Sequence, residues 1–182
     1  MEMVELSKIK KLSLKDSIKQ LAFWKVVLIV FLIAIPGFIL PSRLVFSFGD
    51  SVKYNLFWRV FQDRLFYDDY VVVKMPKEDP FAQGVNIVKK VGCLAGDELL
   101  VQGRNYYCIR SGDVIYLGMA KERARNGMKV NQFNPCGGGN ECRVRVPEKY
   151  VFVIGDHKDS YDSRYFGWVS YERIITVAKP IF

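Results

Sequence analysis

The sequence predicts a mainly β fold, a coiled antiparallel sheet or sandwich preceded by one membrane-spanning helix. Three observations carry this expectation. Beyond residue 41 the chain is a succession of short β-rich runs punctuated by Gly, Asp and Pro. Helical spacing recurs there only over residues 54–65. Upstream, residues 21–40 read LAFWKVVLIVFLIAIPGFIL, apolar but for Lys25 near the start.

The expected organisation has three parts: a basic tail over 1–20, a signal anchor over 21–40 and a β-rich domain over 41–182. At ~1.5 Å per residue the apolar block spans roughly the 30 Å hydrocarbon core of a bilayer. Lys25 lies within about a turn of the interface and can snorkel. Lys8, Lys10, Lys11, Lys15 and Lys19 outweigh Glu2, Glu5 and Asp16, which places the N-terminus inside and the domain outside. A cleaved leader fits less well, because its apolar region runs to only about 7–15 residues and ends at small residues. Pro36-Gly37 is positioned to kink the outer end of the helix.

Along the domain, residues 70–74 form a strand bounded by Asp68-Asp69 and Pro76, and residues 85–93 form another that ends in Ala95-Gly96-Asp97. Residues 99–101 and 106–109 flank Gly103 as a hairpin does. Residues 113–117, 150–154 and 174–178 continue the pattern, and 143–146 alternate polar with apolar.

Composition narrows the function. Half the chain is apolar, with 13 Phe and 10 Tyr, so disorder is not the default. The net charge of +8 is spread along the chain with no nucleic-acid-binding signature, and an anionic membrane surface explains it as well. The sequence has one histidine and no CxxC spacing, so no metal site is expected, and no cofactor. The four cysteines are an even set. Cys136 and Cys142 bracket a glycine-rich loop that a disulfide would close, which requires an oxidising compartment. A Cys93–Cys108 bridge is a second candidate, and buried thiols are the alternative for both pairs.

The densest cluster of constrained residue types is 155–169, GDHKDSYDSRYFGWV. A strand ends at Ile154 and enters a turn of short polar side chains, which hold irregular backbone by local hydrogen bonds. Asp162 and Arg164 lie two apart and can pair. This segment closely resembles the C-terminal signature of type I signal peptidases, Gly-Asp-Asn…Ser-x-Asp-Ser-Arg-x-x-Gly-x-Val. Its Gly-Asp-His form is more similar to the conjugative-transfer (TraF-type) branch. A second block, VKKVGCLAGD over 88–97, resembles the family's Lys-Arg…Gly-Asp box, whose first basic residue is the catalytic lysine.

Strand geometry points to the same lysine independently. Lys89 shares a face with Ile87 and Val91, and Lys90 shares the other with Val88 and Gly92. Loss of hydration on an apolar face disfavours the ammonium and lowers its pKa, making Lys89 a usable general base. The resemblance implies that Lys90 pairs with Asp156, that Ser160 orients the lysine, and that Asp156, Asp162 and Arg164 hold the loop without doing chemistry. His157 is read as structural rather than as a base.

The resemblance also implies a serine nucleophile shortly after the anchor, and Ser42, Ser47 and Ser51 qualify by position. Ser51 best fits the frame of the conjugative branch, with Asn55 in place of a Gly, a swap suited to a positive φ. This chain departs from the family pattern in two ways. Gly49 stands where relatives carry an oxyanion-donating Ser or Thr, and the proline after the nucleophile is missing. Residues 110–148 have no counterpart in the resemblance.

The implied activity is that of a serine endopeptidase at the outer face of the cytoplasmic membrane, with Ser51 and Lys89 as a dyad. It would cleave exported preproteins with small residues before the cut, or a pilin precursor whose ends are then joined. Other proteins of a transfer apparatus are candidate partners, and nucleic acid is not. The alternative is a weak or inactive anchored scaffold, which Gly49 makes thinkable.

Overall fold

The computed structural model describes residues 21, 23–34, 37, 42–124 and 127–181. These fall in two units, Met1–Arg43 and Leu44–Phe182. In the first, residues 21, 23–34, 37 and 42–43 are helical. Leu21, Phe23, Trp24 and Val26 are exposed, as are the apolar side chains of 28–33. No helix among the described residues is long and apolar enough to cross a membrane. The tail over 1–20, Ala22, Ile35, Pro36 and 38–41 lie outside the described residues.

The second unit is built from eleven strands in two antiparallel sheets. The larger contains β1 (Leu44–Phe46), β2 (Leu56–Val60), β3 (Tyr70–Lys74), β4 (Asn86–Cys93), β9 (Tyr150–Ile154), β10 (Val169–Ser170) and β11 (Ile174–Pro180). Their order is β1-β2-β11-β3-β4-β9-β10. The smaller contains β5 (Glu98–Gln102), β6 (Asn105–Arg110), β7 (Asp113–Met119) and β8 (Glu141–Arg145), in the order β7-β6-β5-β8. The strands expected at 70–74 and 150–154 have those bounds, and the hairpin at Gly103 is β5–β6.

One expected element is different. Residues 54–65 contain strand β2 rather than a helix. Their aromatic spacing suits either period, but pairing with β1 on one side and β11 on the other decides for the strand. Alternation then buries Phe57 completely and turns Trp58 outward.

Two apolar clusters cover opposite faces of the larger sheet. Val71, Val73, Val91, Val151, Val153, Val169 and Val177 fill one. Val52, Phe57, Tyr70, Val72, Val88 and Ala178 fill the other. A third joins the two sheets through Leu99, Val101, Tyr106, Phe152 and Ile154. In β4 the register against β9 shifts between Val91 and Cys93, a bulge that carries Cys93 into this third cluster.

The expected Cys136–Cys142 disulfide is present, and Cys93 and Cys108 are also bridged rather than left as buried thiols. The former closes the glycine-rich loop before β8, and the latter ties β4 to β6 across the sheets. Segment 110–148 therefore supplies both edge strands of the smaller sheet, β7 and β8, the loop closed by Cys136–Cys142 and part of the core. Cys93, Asp97 and Cys108 are the one metal-like grouping among the described residues. The disulfide takes both thiols, so the group offers no thiolate pair.

Candidate active site

Lys89 lies on β4 opposite Val71 of β3, on the face covered by the valine cluster. It is 3% exposed. Its Nζ is hydrogen-bonded to Ser51 Oγ and donates to Ser160 Oγ at 2.8 Å. Burial lowers the ammonium pKa from 10.5 to about 8; the carboxylates of Asp162 and Asp156 oppose the shift and Arg164 adds to it. Three residues separated by up to 109 positions in the chain thus meet at one nitrogen.

Ser51 sits in the loop between β1 and β2, which the Ser47 N–H closes by donating to Asn55 O at 2.9 Å. Val52 is buried against Tyr70, Val72 and Val88 and anchors the loop to the sheet. The Lys53 N–H donates to Asp156 Oδ2 at 2.9 Å, and the His157 N–H donates to Ser51 O at 3.3 Å. The loop is therefore fixed by apolar burial next to Ser51 and by two hydrogen bonds from the segment after β9.

That segment leaves β9 at Gly155, where no side chain fits. A Cβ there would lie 2.0 Å from Ser160 Oγ and 2.5 Å from Ser51 O, so a glycine is what allows the two serines to flank one lysine. Asp156 accepts from the Tyr70 hydroxyl at 2.8 Å and lies 3.2 Å from Lys90 Nζ. Burial alone would raise its pKa, but the Lys53 N–H, the Tyr70 hydroxyl and Lys90 outweigh it, and the net shift is downward. Lys90 also approaches Asp68 at 3.7 Å.

Below this layer Arg164 and Asp162 form a buried two-pronged pair, with Nε to Oδ1 at 2.8 Å and Nη2 to Oδ2 at 2.7 Å. Asp162 also accepts from the Gly155 N–H at 2.8 Å. Arg164 reaches Met119 O at 3.0 Å and Ser160 O at 3.4 Å. Burial disfavours the guanidinium charge, and the bonds and charge of Asp162 more than offset it. The pair holds both ends of the turn that presents Ser160.

Ser47 begins the loop that carries Ser51, and Ser42 falls in the N-terminal unit. The hydroxyls hydrogen-bonded to Lys89 are those of Ser51 and Ser160. His157 is turned aside, its Nδ1 accepting from the Asp159 N–H at 3.1 Å. Asn55 is not among the residues with positive φ, so its place in the frame needs no left-handed backbone. Gly49 has φ +132°, with open space around a notional Cβ.

Sequence reasoning missed two contributors. Tyr70 supplies the hydroxyl that fixes Asp156, and strand register was the available signal, since Tyr70 pairs with Lys90. Asp79, far from any recognised block, binds Tyr161 at 3.1 Å.

A cleft of about 420 Å³ opens on this cluster, lined by Phe81, Ala82, Val85, Ile87, His157, Asp159 and Tyr161. A separate hollow of about 500 Å³ lies between residues 60–65 and 174–177 and contains none of these groups. Ser51, Lys89 and Ser160 line the smaller one. Along it, Asn86–Lys89 pair with β3 on one side, whereas β9 on the other side ends at Ile154, opposite Lys90. Among the described residues the other edge of β4 carries no strand there, and an extended chain can add to such an edge.

A family model described as signal peptidase, peptidase S26, matches residues 18–182. The class is thus a serine peptidase. The chain belongs to the signal peptidase family, peptidase S26. The crystal structure of a signal peptidase I from Enterococcus faecalis is similar over 63% of this chain and 97% of that one, at 21% identity and a TM-score of 0.40. No curated protein matches.

Proposed function

We propose that this chain is a membrane-anchored endopeptidase in which Ser51 is the nucleophile and Lys89 its general base. The observation that carries the reading is the buried Lys89 amine, held between the Ser51 and Ser160 hydroxyls with its pKa brought down to about 8. A neutral amine accepts the Ser51 proton as Oγ attacks a peptide carbonyl, and the resulting ammonium returns it to the leaving amine. The Ser160 hydroxyl accepts a second hydrogen bond from Lys89 and so aims its lone pair at Ser51. Asp156, Asp162, Arg164 and Lys90 keep the serine loop and the Gly155 turn in register and take no part in the chemistry. The backbone N–H of Ser51 contributes to the oxyanion site.

The substrate is an exported precursor entering as an extended strand along the open edge of β4, with small residues before the cut. The apolar block at 21–40 and the flanking lysines support an anchor with the catalytic domain outside, and the two disulfides suit that compartment. The Gly-Asp-His form of the signature favours the conjugative-transfer branch, with a pilin precursor as substrate and joining of its ends after cleavage. A reporter fused after Phe182 is expected to be active only if exported, and cytoplasmic activity would contradict the topology. Ser51→Ala and Lys89→Ala should each remove nearly all cleavage, and the double change should cost little more. Cleavage that survives Ser51→Ala but not Ser47→Ala would overturn the assignment.

A further inference from the structure

Tyr70 stands on β3 between Ala178 of β11 and Lys90 of β4, one residue before the Val71 that pairs with Lys89. It is buried, with its ring 5.1 Å from that of Phe57 and 6.0 Å from that of Tyr54, in the cluster that holds Val52. Val52 and Tyr54 belong to the loop that carries Ser51. The Tyr70 hydroxyl donates to Asp156 Oδ2 at 2.8 Å, and the same oxygen accepts the Lys53 N–H, two residues after Ser51, at 2.9 Å. One side chain of β3 is thus joined to the serine loop twice, directly by its ring and through one carboxylate oxygen by its hydroxyl. Lys90 also holds Asp156, on Oδ1 at 3.2 Å, but it is partly exposed and lies 3.7 Å from Asp68 as well. An ammonium on a flexible stem, shared between two carboxylates, fixes a position less closely than a phenol whose ring is packed against two others. Burial, then the bond and charge of Asp156, push the Tyr70 phenol further up, so it remains a donor at any ordinary pH.

We propose that Tyr70 is a positioning residue for the nucleophile, its hydroxyl holding Asp156 and, through it, the loop that brings Ser51 Oγ to Lys89 Nζ. Strand register fixes Tyr70 relative to the lysine, because the next residue of β3 is the partner of Lys89. The line of support runs from Lys89 through Val71 and Tyr70 to Asp156, Lys53 and Ser51. Without the hydroxyl, Asp156 keeps Lys90 and the Lys53 N–H but loses its bond to the packed sheet. The loop is then held more loosely across the gap over which the proton must pass. This inference rests on the peptidase reading above.

The test uses the detergent-solubilised full chain and a peptide selected from a random library for cleavage by the wild type, with Ser51→Ala as the blank. Active sites are counted with a serine-directed acylating inhibitor, so that rates per site exclude any unfolded fraction. Tyr70→Phe keeps the ring and removes only the hydroxyl. Its kcat should fall about ten- to a hundredfold, the scale on which a slight misplacement of reacting groups acts. Its KM should stay within about twofold of the wild type. The rate should still level off at a pH of about 8, because Lys89 keeps its burial, and only the height of the plateau should drop. Asp156→Ala should lower kcat at least as far, and adding Tyr70→Phe to it should cost nothing further, as groups acting in series do. A kcat for Tyr70→Phe within about twofold of the wild type would overturn the positioning role. So would a raised KM with kcat unchanged, a plateau of unchanged height shifted in pH, or a full further loss on top of Asp156→Ala. Should Asp156→Ala not fold, the kcat, KM and pH profile of Tyr70→Phe decide alone. A wild type with no Ser51-dependent cleavage would overturn the peptidase reading and this role with it.

Discussion

Replacing Lys89 with methionine should abolish cleavage and yet stabilise the fold at neutral pH. The lysine is buried with a pKa of about 8 against an ordinary 10.5, and that depression corresponds to about 3 kcal/mol of unfavourable ammonium burial. Losing its bonds to Ser51 and Ser160 takes back about 1–2 kcal/mol. Lys89→Met should therefore gain about 1–2 kcal/mol at pH 7, methionine being close in volume. The pH dependence isolates the cause. Below pH 8 the lysine is charged in both folded and unfolded chains, and the full cost applies. Between about 8 and 10.5 the folded state releases the proton while the unfolded state keeps it, so wild-type stability rises with pH. From pH 7 to 9.5 this rise is about 2 kcal/mol, and the variant lacks it. Denaturant unfolding of the detergent-solubilised full chain at several pH values measures the difference, in which every other titrating group cancels. A difference that stays flat across that range would mean an ordinary lysine pKa, and the reasoning would fail.

Two other perturbations have definite signs. Arg164→Ala leaves Asp162 as an unpaired buried carboxylate and should destabilise the domain by about 3–5 kcal/mol, read as a lowered midpoint of unfolding; a change under 1 kcal/mol would show that the pair does not hold the turn. Gly49→Ser has room for its Cβ but must adopt φ +132°, which L-residues rarely do. Turnover should consequently stay level or fall rather than rise, and a clear increase would show that a missing oxyanion hydroxyl limits the enzyme.

Much of the fold was legible because most strands carry their signal locally. Tyr70–Lys74 and Tyr150–Ile154 are β-branched or aromatic runs ended by charge, proline or glycine. The stretch around β2 misled because its aromatic spacing fits two periods, and only its partners β1 and β11, the latter more than a hundred residues on, settle which applies. The depth of Lys89 followed from alternation along one strand. What was not legible arises where distant segments touch: Tyr70 on Asp156, Asp79 on Tyr161, and the space at Gly155 that a Cβ would close. The left-handed φ at Gly49, which bars the simple remedy of a serine there, is likewise a property of the closed loop and not of the letters.

The central claim, that neutral Lys89 activates Ser51, is met most directly by the rate at which a serine-directed acylating inhibitor modifies the full chain as a function of pH, with the modified residue identified by peptide mapping. The account predicts a label on Ser51 whose rate of appearance climbs with pH and levels off above about 8, where the lysine has lost its proton. A label on Ser47, or a Ser51 rate indifferent to pH between 6 and 9 (roughly the window in which such a base titrates), would contradict it.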